Sequence, residues 1–506
     1  MARALSLATL RAEGEAFHTE ISREFYESMS GLKPEARLQA VYDAHAAIFG
    51  EEAFELAREA FMGSTEGSVE QRSASILLDW QLDSKAGREL APLDERIMSW
   101  ESNAVVRLDD GREIPYERLA IDLANSGDRA ERAMIEKARV SLVTREFAPM
   151  KQERLQRERD ITEGAGIARD YNAAWELLSG ISLSGLRAEC EAFLRDTQSM
   201  WDEMAPWMTQ RTLGMRPGEM TRGDIGALLR AREFDAFFPA NDMEASVRRQ
   251  VREMGMDPEA GGRIIYDTGE REGKRSRAFC APVRVPDEVY LVLRPHGGQT
   301  DWNTLLHELG HALHFAHMRG DLPMEFRFTG DNSVTEGFAM LFDHLMQDAG
   351  WLQRYTALER NDTSPFLRRA GFEELYFLRR YCAKIIYESQ LYARGDSWRT
   401  LPDLYATTLT SALTFQYSPA DAFIDIDPRY YSARYLRAWQ YQAILTETLV
   451  ERYDSDWWRN PKAGPWLVND LFSEGQRELA HEQAARVTGK TLGFAPLLRS
   501  LERMLG

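Results

Sequence analysis

The chain has 506 residues, 44% of them hydrophobic, ample for a large buried core. Eighty Asp and Glu against 62 Lys and Arg give a formal net charge of −18, which argues against nucleic acid as a partner, because phosphate binding needs a basic surface. Three isolated cysteines (Cys190, Cys280, Cys382) and no apolar run of the roughly 18–20 residues of a membrane span argue against a disulfide framework and against a membrane partner.

The first residues, Met1 to Leu10, hold one arginine and a short apolar run that turns at once into Arg11-Ala-Glu-Gly-Glu15. That is too short and too soon charged for a secretory signal, so a cytoplasmic location is expected. Residues 10–30, 35–62, 128–160, 169–180, 184–205 and 242–254 repeat apolar positions every three or four residues among Glu, Arg, Gln and Ala, which predicts helices. Residues 86–118 are more mixed. There Ile97 to Leu108, followed by Asp109-Asp-Gly-Arg112, reads as a strand entering a turn, with Glu113 to Tyr116 as its hairpin partner. A second antiparallel pair is predicted from Arg277–Ala281 and Val283–Val285, a Pro286-Asp287 turn, and Val289–Leu293. After the loop Pro295-His-Gly-Gly298, Thr300 or Asp301 is expected to cap the next helix. Beyond residue 335 the chain reads as helical to its end, with breaks near Gly350, Asn361–Pro365, Ser418-Pro419, Asp427-Pro428 and Asn460–Pro465. No long linker appears. A change of role is placed near residue 210, between a helical N-terminal part (1–210) and a catalytic part (211–506) of one continuous body.

The chemistry concentrates in His307-Glu308-Leu309-Gly310-His311. A helix turns 100° per residue, so the two histidines stand one turn apart on one face and can share a Zn²⁺ at roughly 2.0–2.1 Å. Glu308 is rotated off that axis, where it can serve as general base toward a water. Apolar Leu305, Leu306, Leu309, Ala312 and Leu313 give this helix a face to bury. Three of the nine histidines (His307, His311, His314) fall within eight residues, which favours a metal site over a surface helix with chance histidines. A catalytic zinc takes a third protein ligand. The longer HExxHxxGxxH spacing is absent, since position 314 is His instead of Gly. Glu336, with Ser333 as an N-cap, is the candidate; an ordinary first-turn glutamate favoured by the helix dipole is the alternative. Asp343 shares the face of Glu336. It either orients a ligand histidine or lies on a solvated face. His314 is expected as a hydrogen-bonded core residue.

Gly273-Lys274-Arg275, the strand pair, Leu305 to His314, Glu336 at 25 residues after His311, and Asp343 seven residues further together resemble the thimet oligopeptidase and oligopeptidase F family of zinc peptidases, the M3 family. The resemblance covers roughly residues 265–345. It is weaker over 420–450 and only general in the N-terminal half, where Arg169 to Trp175 is similar to the family's helical lid. It implies a mainly α, zincin-like fold: a large helical body with a deep catalytic cleft and a small antiparallel sheet beside the HExxH helix, the N-terminal part forming one wall or lid. It also implies one zinc per chain on His307, His311 and Glu336, with Glu308 as base, Asp343 behind a ligand, and peptide backbone pairing along Arg277–Val285. The family's oxyanion donors are tyrosines of a late helix. In the matching stretch, Asp427 to Tyr435, Tyr430 falls on the first of them, but Ala433 falls on the second and the upstream histidine is missing. Tyr430, Tyr431, Arg434 and Tyr435 therefore all stand as candidates. The implied activity is hydrolysis of short peptides. A related-fold carboxypeptidase or dipeptidyl carboxypeptidase, and a catalytically inactive peptide-binding relative, are the alternatives. The sequence carries no signal of oligomeric state.

Overall fold

Apolar spacing translates directly into helices at Leu7–Met29, Leu38–Ala44, Glu51–Gly63, Arg129–Leu142, Ala148–Gly164, Tyr171–Ser179, Leu183–Asp196, Gln198–Leu213 and Met243–Glu253 in the computed structural model, which describes residues 5–393 and 398–506. The protein is mainly helical, with two small sheets. One long helix, Val69–Asn103, departs from expectation by absorbing Ile97 to Asn103, predicted as strand. Ala86, Leu90, Leu93 and Ile97 recur at helical spacing and are all buried, so the 3.6-residue period outweighs the local β-formers. Only Val105–Arg107 (β1) and Glu113–Pro115 (β2) form the expected hairpin. Among the described residues, no helix is long and apolar enough to cross a membrane.

Two compact units emerge, each discontinuous in sequence, whereas the sequence reading divides the chain once near residue 210. The first comprises Met1–Gln81, Arg232–Arg368 and Arg434–Ser500; the second comprises Leu82–Ala231, Arg369–Ala433 and Leu501–Gly506.

The first unit contains a three-stranded sheet in the order β3 (Ile264–Asp267), β5 (Glu288–Val292), β4 (Phe279–Arg284). The predicted antiparallel pair is present as β4 (Phe279–Arg284) and β5 (Glu288–Val292). A further strand, β3 (Ile264–Asp267), pairs parallel with β5 and was not foreseen; four residues are too few to show a period. Helix α1 (Leu7–Met29) lays Tyr26 against Ala281, Val283 and Val292, and its ring stacks on Tyr290 at 3.8 Å. Lys274 of the Gly-Lys-Arg motif is a loop clamp. Its buried ammonium donates to the carbonyls of Asp267 and Gly269, both at 2.8 Å, and to Asp267 Oδ1 at 3.1 Å.

The second unit packs the β1–β2 hairpin through Val106 and Ile114 onto Leu119, Leu123 and Ile135. It also buries an ion network. Arg139 is bidentate to Asp421 at 2.9 Å and reaches Glu136 at 2.8 Å, while Arg222 joins the same Asp421. Cys190 and Cys382, distant in sequence, meet here as buried free thiols.

Candidate metal centre

Two helices of the first unit build the site. Helix α2 (Gln299–His317) starts one residue after the Gly297-Gly298 turn. Asp301 lies inside its first turn and is not the N-cap: its Oδ2 reaches back to accept the N–H groups of His296 (2.8 Å) and Gly297 (3.0 Å). The expected apolar face is buried throughout, with Leu305, Leu306, Leu309, Ala312 and Leu313 all at 0% exposure. Helix α3 (Asn332–Asp343) is capped by Asp331, which accepts the N–H of Ser333 at 2.9 Å, so the cap sits two residues before the expected Ser333.

Gly310 explains how closely these helices approach. A Cβ at this position would lie 2.6 Å from Ala339 Cα and 2.6 Å from the Phe338 carbonyl oxygen. Backbone therefore meets backbone, and the histidine face of α2 is brought onto the second turn of α3.

The result is a cluster of His307, His311 and Glu336 whose candidate ligand atoms all lie within 4.8 Å of one another. Glu336 Oε2 is 3.4 Å from His307 Nε2 and 3.9 Å from His311 Nε2. Donors at about 2.0–2.1 Å from one zinc in a tetrahedron stand roughly 3.3–3.4 Å apart; the His307–Glu336 pair has that spacing, the His311–Glu336 pair at 3.9 Å is wider, and two imidazoles with a carboxylate are a donor set that could hold such an ion. Both δ-nitrogens are committed elsewhere, which directs both ε-nitrogens to the common point. His307 Nδ1 donates to the Asp343 carboxylate at Oδ2, 2.9 Å away, and His311 Nδ1 is hydrogen-bonded with Thr335 Oγ1 at 2.9 Å. Glu336 is buried and, with the cap at Asp331, lies beyond the first turn where a dipole-favoured glutamate was expected, and Asp343 is buried instead of lying on a solvated face.

The two histidines differ electrostatically. Burial opposes charge on His307, but hydrogen bonds with Asp343 and Glu336 outweigh it and push its pKa up to about 10. Burial holds His311, beside a neutral hydroxyl, below the ordinary histidine value. Burial also works against the Asp343 carboxylate, yet His344 and His307 keep its pKa below the usual range.

Glu308 is half-buried, and its Oε2 accepts the backbone N–H of Cys280 on β4 at 2.9 Å. Strand β4 is an edge of its sheet, so this edge faces the HExxH helix. His314 is fully buried, with its ring edge-on to Phe338 at 4.7 Å.

The late-helix candidates are scattered. Tyr430 is in the second unit, 1% exposed, where its hydroxyl donates to Asn172 Oδ1 at 2.6 Å and lies 3.2 Å from the Glu388 carbonyl oxygen. Trp175, from the same Arg169–Trp175 stretch as Asn172, packs on its ring at 5.0 Å. Arg429 (φ 54°) and Tyr430 (φ 52°) both adopt left-handed backbone, a strain that non-glycine residues rarely accept. Tyr431 is half-buried in that unit as well. Arg434 and Tyr435 belong to the first unit, where Arg434 faces Asp79 at 3.5 Å and Tyr435 packs on Trp439 at 6.2 Å. None of the four is in the metal cluster.

Sequence reasoning missed Thr335 and His344. The only available signal was adjacency: each stands beside a residue already singled out.

No family model matches the chain, and no curated protein matches it.

Proposed function

We propose that this protein is a zinc peptidase of the thimet oligopeptidase and oligopeptidase F type, holding one zinc per chain and acting on short peptides in the cytoplasm. The observation that carries the reading is the convergence of His307 Nε2, His311 Nε2 and Glu336 Oε2 beside the candidate base Glu308. A zinc held by His307, His311 and Glu336 would supply Lewis acidity toward a scissile carbonyl and make a nearby water easier to deprotonate. Glu308 takes a proton from that water and returns it to the leaving amine. The N–H of Cys280 orients the Glu308 carboxylate toward this work. The edge of β4 offers main-chain groups to an extended peptide, which gives affinity with little demand on side-chain sequence. Arg434 and Tyr435, which belong to the same unit as the histidine pair, are the oxyanion donors to test.

Replacing Glu308 by Gln tests the reading. Hydrolysis of a quenched fluorescent peptide library is expected to fall about 10²–10⁴-fold, with zinc content per chain unchanged. A zinc-loaded wild type that cleaves no member of the library refutes the activity. Equal rates on free and amidated C-termini count against a carboxypeptidase.

A further inference from the structure

We propose that His344 is a positioning residue that fixes the orientation of the ligand His307 by gripping Asp343. The inference rests on the zinc reading above and adds a residue to it.

Asp343 ends helix α3, and His344 opens the following turn, His344–Gln347. A carboxylate at this place is doubly disfavoured. It is buried, and it sits at the end of a helix whose dipole already carries partial negative charge. Both of its oxygens are nevertheless matched by imidazoles. Oδ2 accepts from His307 Nδ1 at 2.9 Å, and Oδ1 accepts from His344 Nδ1 at 2.5 Å. An ionised carboxylate has no proton to give, so His344 must donate through Nδ1.

The second bond matters because of how a carboxylate moves. The last torsion of an aspartate is broad and roughly two-fold. Held through one oxygen, the group can still swing about that torsion and carry the His307 ring with it. Held through both, its plane is set. His344 is well suited to this, since its ring hangs from the adjacent backbone and is itself largely buried. The His307 ring is then fixed with Nε2 aimed at the point 3.4 Å from Glu336 Oε2. His311 is backed differently, through the Thr335 hydroxyl. The two ligands are thus anchored by different means, and His307 has the deeper support.

The test is a zinc-affinity cycle by chelator competition, with the Co²⁺-substituted absorption spectrum as an independent report of ligand geometry. His344→Leu is expected to weaken zinc binding about tenfold, the lower end of what outer-sphere partners contribute, and to change the Co²⁺ bands. Asp343→Asn is expected to cost about 100-fold. In the Asp343→Asn background, His344→Leu should then add less than about twofold, because its route to the metal is gone. His344→Asn, whose amide places a donor where Nδ1 stands, should restore affinity to within about twofold of wild type. If His344→Leu fails to fold, His344→Phe, a ring without a donor, replaces it. Unchanged affinity and spectrum in the leucine or phenylalanine variant overturns the proposal. So does a loss that persists in full beside Asp343→Asn. A wild type that binds zinc but hydrolyses nothing sinks the peptidase reading alone and leaves this one standing. A wild type that binds no zinc sinks both.

Discussion

In the second unit, the buried carboxylate of Asp421 has every oxygen taken: Arg139 holds both and Arg222 shares one. Around the histidine pair of the first unit, the δ-nitrogens bond outward instead. Asp343 and Thr335 take the δ-nitrogens, while the ε-nitrogens and Glu336 face one another. Both regions bury polar groups at the cost of desolvation. The first arrangement closes on itself and serves the fold. The second leaves its strongest donors converging on a point, which is what a ligand site requires. Convergence, and not burial of charge as such, separates the two.

Four experiments break or sharpen this contrast. The largest effect is expected from Glu336→Ala. Zinc affinity should drop by more than about 100-fold, beyond the range of outer-sphere partners, while urea unfolding in the presence of a chelator shows stability unchanged or raised. A protein that retains zinc after this change has its third ligand elsewhere. Asp421→Asn should behave in the opposite way. It removes a shared carboxylate from Arg139, which keeps Glu136, and from Arg222, so it should lower the unfolding free energy by about 3 kcal/mol and leave zinc stoichiometry untouched. Altered zinc binding in that variant would erase the distinction between the clusters.

His314 supplies the third. Burial among aromatic rings pushes its pKa down to about 3, against about 6.5 in the unfolded chain. A histidine depressed in this way contributes its full stability above pH 6.5 and loses it as pH falls toward 3. Between pH 7 and pH 5 the wild type should therefore lose roughly 2 kcal/mol more than His314→Leu, measured by urea unfolding with a chelator present. Parallel pH profiles would show that His314 does not titrate as described. The smallest effect is expected from Thr335→Val. It removes the hydroxyl partner of His311 Nδ1 and should weaken zinc binding by about tenfold, with little change in urea midpoint.

The sequence disclosed whatever depends on local period. The α2 histidine pair and the buried leucines follow from a 3.6-residue repeat, and the β4–β5 hairpin from two β-rich runs joined by the Pro286-Asp287 turn. Helix Val69–Asn103 was misread near its end because Trp100, Val105 and Val106 favour strand locally, whereas the buried positions Ala86 to Ile97 keep helical spacing. Thr335 escaped for a different reason. It bonds a histidine 24 residues away across a helix crossing, and no local pattern encodes that distance. The same holds for the segment Asp427 to Tyr435. Its tyrosines look equivalent in sequence, yet left-handed backbone at Arg429 and Tyr430 accompanies a Tyr430 side chain turned into its own unit.

Gly310 carries a lesson for anyone who would rebuild this centre. Its missing side chain sets the gap between α2 and α3, since even a methyl there would collide with Ala339 and Phe338. Ligand spacing is thus specified by main-chain contact, and a designer who grafts only the two histidines and the glutamate onto another scaffold copies the letters without the ruler. The transferable pattern is a glycine-gated helix crossing with a carboxylate and a hydroxyl behind the imidazoles. A saturation library at position 310 should return glycine almost alone, even where flanking positions vary freely.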